Sequence, residues 1–256
     1  MTTTPEWVDT HCHLQMLDAD DADLVAEAAA GAVRTLVCVG IDAATSAAAV
    51  DAAQAFAGVH ATAGLHPHEA RHLDAQWDDV VALARSDAVV GIGEAGFDFY
   101  RDHSPHDAQE TAFRAQIALA KALDKTLVIH TRDAWDDTFR VLEDEGAPQR
   151  LVFHCFSGGP AEATRCVEMG AVLSFAGPVS YPRNDTLRDA ARAVPLASVV
   201  VETDAPFLSP QGFRGKTNHP ARVAVVGEAL AAAVDRPVAE VAATTTATAR
   251  DLFGLA

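Results

Sequence analysis

Short apolar runs rich in β-branched residues recur along the chain, each bounded by polar or Gly/Pro positions. Runs of this kind predict strands buried on both faces, as in a parallel sheet. Eight can be read, at residues 7–10, 35–39, 59–63, 89–92, 127–130, 151–154, 172–175 and 199–202. Between them lie Ala-rich segments with helical spacing, such as 107–123, where Phe113, Ile117 and Ala120 fall at i, i+4 and i+7 on one face. After the eighth run, residues 203–220 form a loop containing Gly and Pro, and 223–233 and 238–253 read as closing helices.

Strand and helix therefore alternate throughout, and eight such units are the number of an α/β fold of the (β/α)8 TIM-barrel type, in which reactive groups sit at the C-terminal ends of the strands. An open doubly wound sheet is the second possibility. The 256 residues suit one large domain spanning 1–256, and no linker or low-complexity segment divides them.

Hydrophobic residues make 49% of the chain, yet no apolar stretch reaches the ~20 residues that a membrane span needs. The N-terminal segment lacks the basic and apolar regions of a signal peptide, so the expected location is the cytoplasm, with no membrane association and no evident obligate protein partner. Net charge is −17, from 36 acidic against 19 basic side chains. Such a surface repels polyanions at low ionic strength, and on charge alone it argues against nucleic acid. It also suits a protein kept hydrated in concentrated salt, an adaptation that a salt series of activity and melting would test. Cys12, Cys38, Cys155 and Cys166 form no C-x-x-C pair and are expected to be reduced thiols.

Candidate chemistry gathers at the ends of the apolar runs. His11 and His13 stand two residues apart after the first, where strand alternation sends both imidazoles to the same side and Cys12 to the other. The fifth and sixth runs close on His130 and His154, the eighth on Glu202 and Asp204, and the fourth on Glu94. Imidazole nitrogens together with carboxylate oxygens suit Zn²⁺, Mn²⁺ or another divalent ion, and a carboxylate can bridge two ions. His60, His72, His103 and His106 lie away from the strand ends and read as surface or core histidines. Gly91, Gly93 and Gly96 fit G-x-G-x-x-G, but Glu94 would set a negative charge beside a pyrophosphate and a loop rather than a helix follows. The glycines instead let the backbone turn tightly around Glu94. Ser157 does not fit a nucleophile elbow, so water activated by metal is the expected nucleophile.

The stretches 9–14 (Asp-Thr-His-Cys-His-Leu), 64–68 (Gly-Leu-His-Pro-His), 91–98, 129–134, 153–158 and 202–206 (Glu-Thr-Asp-Ala-Pro), taken in order, resemble those of the TatD family of metal-dependent deoxyribonucleases, within the amidohydrolase-like barrels. The likeness continues through Arg214 and Lys216 to Gly254, nearly the whole chain. It implies two divalent metal ions (Mg, Mn or Zn), with His11, His13 and Asp204 at one, His130 and His154 at the other, and Glu94 bridging. It further implies His66 and Arg132 as substrate contacts. Ser157 and Arg214 join these as expected substrate contacts, and Glu202 is expected to hydrogen-bond a ligand histidine. For His66 a structural turn held by Pro67 competes, and for Arg132 a buried ion pair with Asp133 or a neighbouring carboxylate. One departure stands out, His219 where relatives commonly carry Glu.

The resulting expectation is a phosphodiesterase that trims DNA, as single strands, from the 3′ end. In it Asp204 orients or deprotonates the attacking water and Glu94 is the other catalytic carboxylate. The same site could instead cleave an ester or amide, such as the aminoacyl ester of a D-aminoacyl-tRNA, or the protein could bind metal or nucleic acid without turnover.

Overall fold

A computed structural model of the chain describes residues 5–255. Its strands are β1 (Trp7–Cys12), β2 (Val33–Val39), β3 (Val59–Ala63), β4 (Val89–Asp98), β5 (Thr126–Arg132), β6 (Leu151–Phe153), β7 (Val172–Phe175) and β8 (Val199–Val201). The helices are α1 (Asp21–Ala30), α2 (Ala43–Ala55), α3 (Leu73–Ala84), α4 (His106–Leu123), α5 (Trp135–Glu145), α6 (Pro160–Glu168), α7 (Asp185–Ala193), α8 (Val223–Ala233) and α9 (Val238–Phe253). The strands follow one another in chain order within the sheet, each of the first seven followed by a helix, which is the expected (β/α)8 class. Two compact units can be distinguished, one of residues 38–153 and one of 5–37 with 154–255.

In the unit 38–153, β3, β4, β5 and β6 pair in parallel and helices α2 to α5 cover them. Phe97, Phe113, Ile117, Leu127, Ile129, Phe139 and Phe153 are fully buried between these layers. Helix α2 begins on a capping box, in which the Asp42 carboxylate accepts from the Thr45 N–H and the Thr45 hydroxyl oxygen accepts from the Asp42 N–H. Strand β4 is longer than its apolar run suggests. It continues past residue 92 to Asp98, so Glu94 lies inside the strand rather than closing it. The cause is a pair of glycines at φ +135° (Gly93) and +138° (Gly96), where the pairing with β5 shifts register between Ile92 and Ala95. A Cβ at Gly96 would stand 2.1 Å from the His130 carbonyl oxygen, and one at Gly93 2.4 Å from that of Val128. Only glycine lets β4 approach β5 here, and the glycines do bend the chain about Glu94.

In the other unit β7 pairs with β8, and a parallel bridge joins Cys12, the last residue of β1, to Ala205. Helices α8 and α9 have the expected bounds. Helix α8 meets β1 through Gly227, where a Cβ would fall 2.2 Å from the Trp7 ring. Helix α9 is tied to the segment before β1 by the Thr246 hydroxyl, which donates to the Glu6 carbonyl at 3.0 Å. Strands β6 and β8 end one residue before the positions read from sequence, so His154 and Glu202 stand just beyond them. The loop 203–220 is tied down by its own hydrogen bonds. Asn218 donates from its side chain to Thr203 O (2.9 Å) and from its backbone to Pro206 O (3.0 Å), and Ser209 Oγ donates to Lys216 O (2.7 Å).

Candidate metal centre

His11 and His13 are buried, and their Nε2 atoms face each other at 3.3 Å. Asp204 Oδ1 lies 3.9 Å from the first and 3.5 Å from the second. The three donor atoms converge within 4.8 Å of one another. At most one proton fits between two such nitrogens, whereas a cation suits both lone pairs and the carboxylate at once, so the donor set fits a divalent ion. Burial raises the Asp204 carboxyl, but the hydrogen bond from His13 and the charges of His11, His13 and His154 outweigh it and hold the group below the usual carboxylate range.

His154 stacks on His11 with ring centroids 4.0 Å apart. Its Nδ1 faces Glu202 Oε1 at 3.3 Å, and the same oxygen accepts the Cys155 N–H at 2.8 Å. An Nδ1–H directed at Glu202 leaves Nε2 with its lone pair, the tautomer a metal ligand requires. Glu202 Oε2 is buried with no hydrogen-bond partner among the described residues, and Glu202, His11 and His154 also converge within 4.8 Å. Beneath them Asp9 accepts from Thr203 Oγ1 (2.5 Å), Thr203 N–H (2.8 Å) and His11 N–H (3.3 Å). Burial pushes the Asp9 carboxyl up to about 8 against these bonds, and the Glu202 charge adds to the rise.

The unit 38–153 holds a second group, His66, Glu94 and His130. His130 has a carboxylate on each side, Glu94 Oε1 at 2.8 Å from Nδ1 and Asp98 Oδ2 at 3.3 Å from Nε2. A neutral imidazole carries one proton. With it on Nε2 toward Asp98, the Nδ1 lone pair and Glu94 Oε1 form an N,O donor pair fit for a divalent ion. His66 differs. Its Nδ1 accepts the His68 N–H at 3.1 Å, so the ring proton sits on Nε2, 3.4 Å from Glu94 Oε1. Burial pushes His66 down to about 4, the Glu94 charge opposing, and it stands near neutrality as a hydrogen-bond donor rather than a ligand. The same pairing, at the start of the 3₁₀ turn 67–72, is the turn anticipated around Pro67.

Asp98 was not singled out from sequence, where a carboxylate in Gly-Phe-Asp-Phe reads as loop. It is 1% exposed and accepts three hydrogen bonds, from Tyr100 N–H (3.0 Å) and Arg101 N–H (2.8 Å) on Oδ1 and from His68 (3.0 Å) on Oδ2, which also faces His130 Nε2 at 3.3 Å. The alternation of Phe97 and Phe99 about it was the available signal.

Of the expected substrate contacts, Arg132 lays its guanidinium over the Tyr100 ring at 3.9 Å and makes no ion pair with Asp133 among the described residues. Arg214 lies over the Tyr181 ring at 4.7 Å. Ser157 is exposed and lines a cleft of ≈ 370 Å³ with Cys155, Phe156, Pro178 and Asn184. His219 pairs with Glu27 of α1 at 2.8 Å, which gives this departure from the family pattern a local partner. Cys12 is buried with its Sγ toward Val37 O (3.6 Å).

Eight strand and helix units carrying histidine and carboxylate groups with metal-competent donors define the class as a (β/α)8 protein of the metal-dependent hydrolase type. The profile of the family described as TatD related DNase matches residues 8–254. The metal-dependent hydrolase TatD of Mycobacterium tuberculosis, named as uncharacterized, is 40% identical over 259 residues, covering 97% of this chain and 98% of its own. A TatD of Citrobacter koseri, named a 3′-5′ ssDNA/RNA exonuclease, is 35% identical over 245 residues, covering 93% and 94%. The crystal structure of YjjV, a TatD homologue from Escherichia coli K12, superposes with a TM-score of 0.93 at 30% identity over 98% of each chain. The chain belongs to the TatD-related DNase family. No helix among the described residues is long and apolar enough to cross a membrane.

Proposed function

We propose that this protein is a cytoplasmic, divalent-metal-dependent exonuclease that removes nucleotides from the 3′ end of single-stranded DNA. The observation that carries the reading is Asp204 Oδ1 set 3.9 and 3.5 Å from the facing Nε2 atoms of His11 and His13. Family membership and the exonuclease name of the Citrobacter koseri relative support the choice of bond.

His11, His13, His154 and Asp204 in one unit, and Glu94 and His130 in the other, are the groups that would hold two divalent ions, Mg²⁺, Mn²⁺ or Zn²⁺. Such ions supply Lewis acidity, lowering the pKa of water and neutralising phosphoryl charge. Asp204 orients the attacking water and accepts its proton on a carboxylate oxygen. Glu94 Oε1 faces the His130 Nδ1 lone pair and is oriented by the Nε2–H of neutral His66, which is also free of the charge penalty of a buried imidazolium. Glu202 keeps the His154 proton on Nδ1. Arg132, Arg214 and Ser157 supply hydrogen-bond donors for phosphate oxygens.

The test uses protein stripped by chelator and reloaded with each metal, acting on a 5′-labelled single strand, the same strand in duplex, and a D-aminoacyl-tRNA. The expected result is a ladder shortening from the 3′ end, blocked by a 3′-terminal phosphorothioate and absent in Asp204→Ala. Full activity of Asp204→Ala, or cleavage that survives chelation, overturns the mechanism. Turnover of the aminoacyl ester alone moves the reaction to that bond.

A further inference from the structure

Among the described residues the large hydrophobic side chains left exposed are Tyr100, Phe207 and Leu208. Tyr100 carries the Arg132 guanidinium on its ring, but Phe207 is 51% exposed and has no such cover among the described residues. It projects three residues beyond Asp204, and its ring centroid lies 6.1 Å from that of His13.

An exposed phenylalanine on a floppy loop would have no fixed place, but this one is held. The Phe207 N–H donates to Asp204 O at 2.7 Å, and Asn218 N–H donates to the preceding carbonyl, Pro206 O, at 3.0 Å. On the other side the Leu208 carbonyl packs against Gly177 so closely that a Cβ there would stand 1.9 Å from it. The next residue, Ser209, is tied by Tyr181 Oη donating to its carbonyl (2.9 Å) and by its own hydroxyl donating to Lys216 O. The backbone that carries the ring is thus fixed, and the ring stands beside His13 on a residue half exposed to water.

Charge says what such a ring is for. With a net charge of −17 the protein gains no long-range attraction for a polyanion, and neutralisation of many phosphates, the usual source of affinity, is not open to it. Base stacking on an aromatic ring is the uncharged alternative, and it demands an unpaired base with an open π face.

From this placement we propose that Phe207 is the stacking platform for the nucleobase next to the scissile phosphodiester, and so selects unpaired 3′ ends. The proposal deepens the exonuclease reading and rests on it for the position of the strand. Phe207→Ala should raise KM for a single-stranded oligonucleotide roughly five- to 150-fold, the range of one base–aromatic stack, with little change in kcat. Phe207→Trp should restore KM. The ratio of KM values should be the same at low and molar KCl, because stacking releases no counterions. An oligonucleotide whose last two nucleotides are abasic should lose the same factor with the wild-type protein and nothing further with Phe207→Ala.

Binding of the same fluorescent oligonucleotide in EDTA, read by anisotropy, separates this proposal from the activity on which it rests. Loss of binding in Phe207→Ala without any cleavage by the wild-type protein sustains the platform and sinks the exonuclease. Cleavage with an unchanged KM in Phe207→Ala sinks the platform and leaves the exonuclease. A wild-type chain that neither binds nor cuts the strand overturns both.

Discussion

Asp98 is a buried carboxylate on which four donors converge, and removing it tests whether those contacts hold the segment around His130 together. Replacement by Ala deletes the three hydrogen bonds and the facing charge for His130. Replacement by Asn keeps an oxygen for the Tyr100 and Arg101 N–H groups and loses the anionic acceptor for His68 and His130. Hydrogen bonds to a charged group are worth ~1.5–3 kcal/mol each. The two backbone donors belong to a segment near water and recover part of their loss, since Tyr100 and Arg101 are exposed. Asp98→Ala should therefore cost about 3–5 kcal/mol and Asp98→Asn about 1.5–3, against a total stability on the order of 5–15 kcal/mol. At roughly 2–4 °C per kcal/mol for a chain of this size, the Ala variant should melt about 6–20 °C lower. Urea denaturation of chelated protein reads these differences without a contribution from bound metal. Burial raises the Asp98 carboxyl, yet the His130, Arg101 and His68 donors overcome that and hold it below the usual range. A carboxyl depressed in the folded state stabilises above its unfolded pKa of ~3.9 and loses that contribution as pH falls through its folded value, so the gap between wild type and Asp98→Asn should narrow below about pH 4. If both variants unfold within about 0.5 kcal/mol of wild type at pH 7, the hydrogen-bond reasoning fails.

Three further outcomes follow from the geometry. Glu202→Gln should lower zinc affinity about 10–100-fold in a chelator competition while leaving the melting temperature of the chelated chain within a few degrees, because the change falls on the His154 tautomer; unchanged affinity would remove Glu202 from that role. Gly96→Ala, whose new Cβ would meet His130 O at 2.1 Å in a backbone region that L side chains rarely adopt, should cost more than about 2 kcal/mol in urea, and a neutral result would mean that β4 and β5 can separate. On the surface, hydrogen bonds from Arg140 and then Arg114 hold Glu110 down to about 2. The stability this supplies, at most ~1 kcal/mol after solvent screening, is present above pH ~4.5 and lost as pH falls toward 2. An acid titration of Glu110→Gln should lack that component.

The sequence displayed most of what repeats and little of what joins the repeats. Strands β3 and β7 and helices α8 and α9 could be bounded to the residue, β3 by the Gly64 that follows it and α9 by Pro237 before it and Gly254 after it. His11, His13, His154 and Asp204 stood out because each follows such a run, and they lie together. Strand β4 reads short because the glycines at 93 and 96 contribute no apolar signal, although the missing side chains are what its close pairing with β5 requires. Asp98 and Asp9 were passed over because their importance is relational. Each binds residues distant in the chain, as Asp9 binds Thr203 194 positions away, and no local pattern records such a partner. The fit of His219 to Glu27 was hidden for the same reason.

The tie of β1 to Thr203, Ala205 and helices α8 and α9 has a consequence for how the protein is made. Synthesis runs from the N-terminus, so His11 and His13 leave the ribosome long before Asp204, and the Gly227 segment that packs on Trp7 follows later still. The donor set of His11, His13 and Asp204 therefore cannot be completed on a partial chain. A polypeptide stalled or truncated before residue 204 holds two histidines without their carboxylate, so this donor set is completed only after β8 has been made.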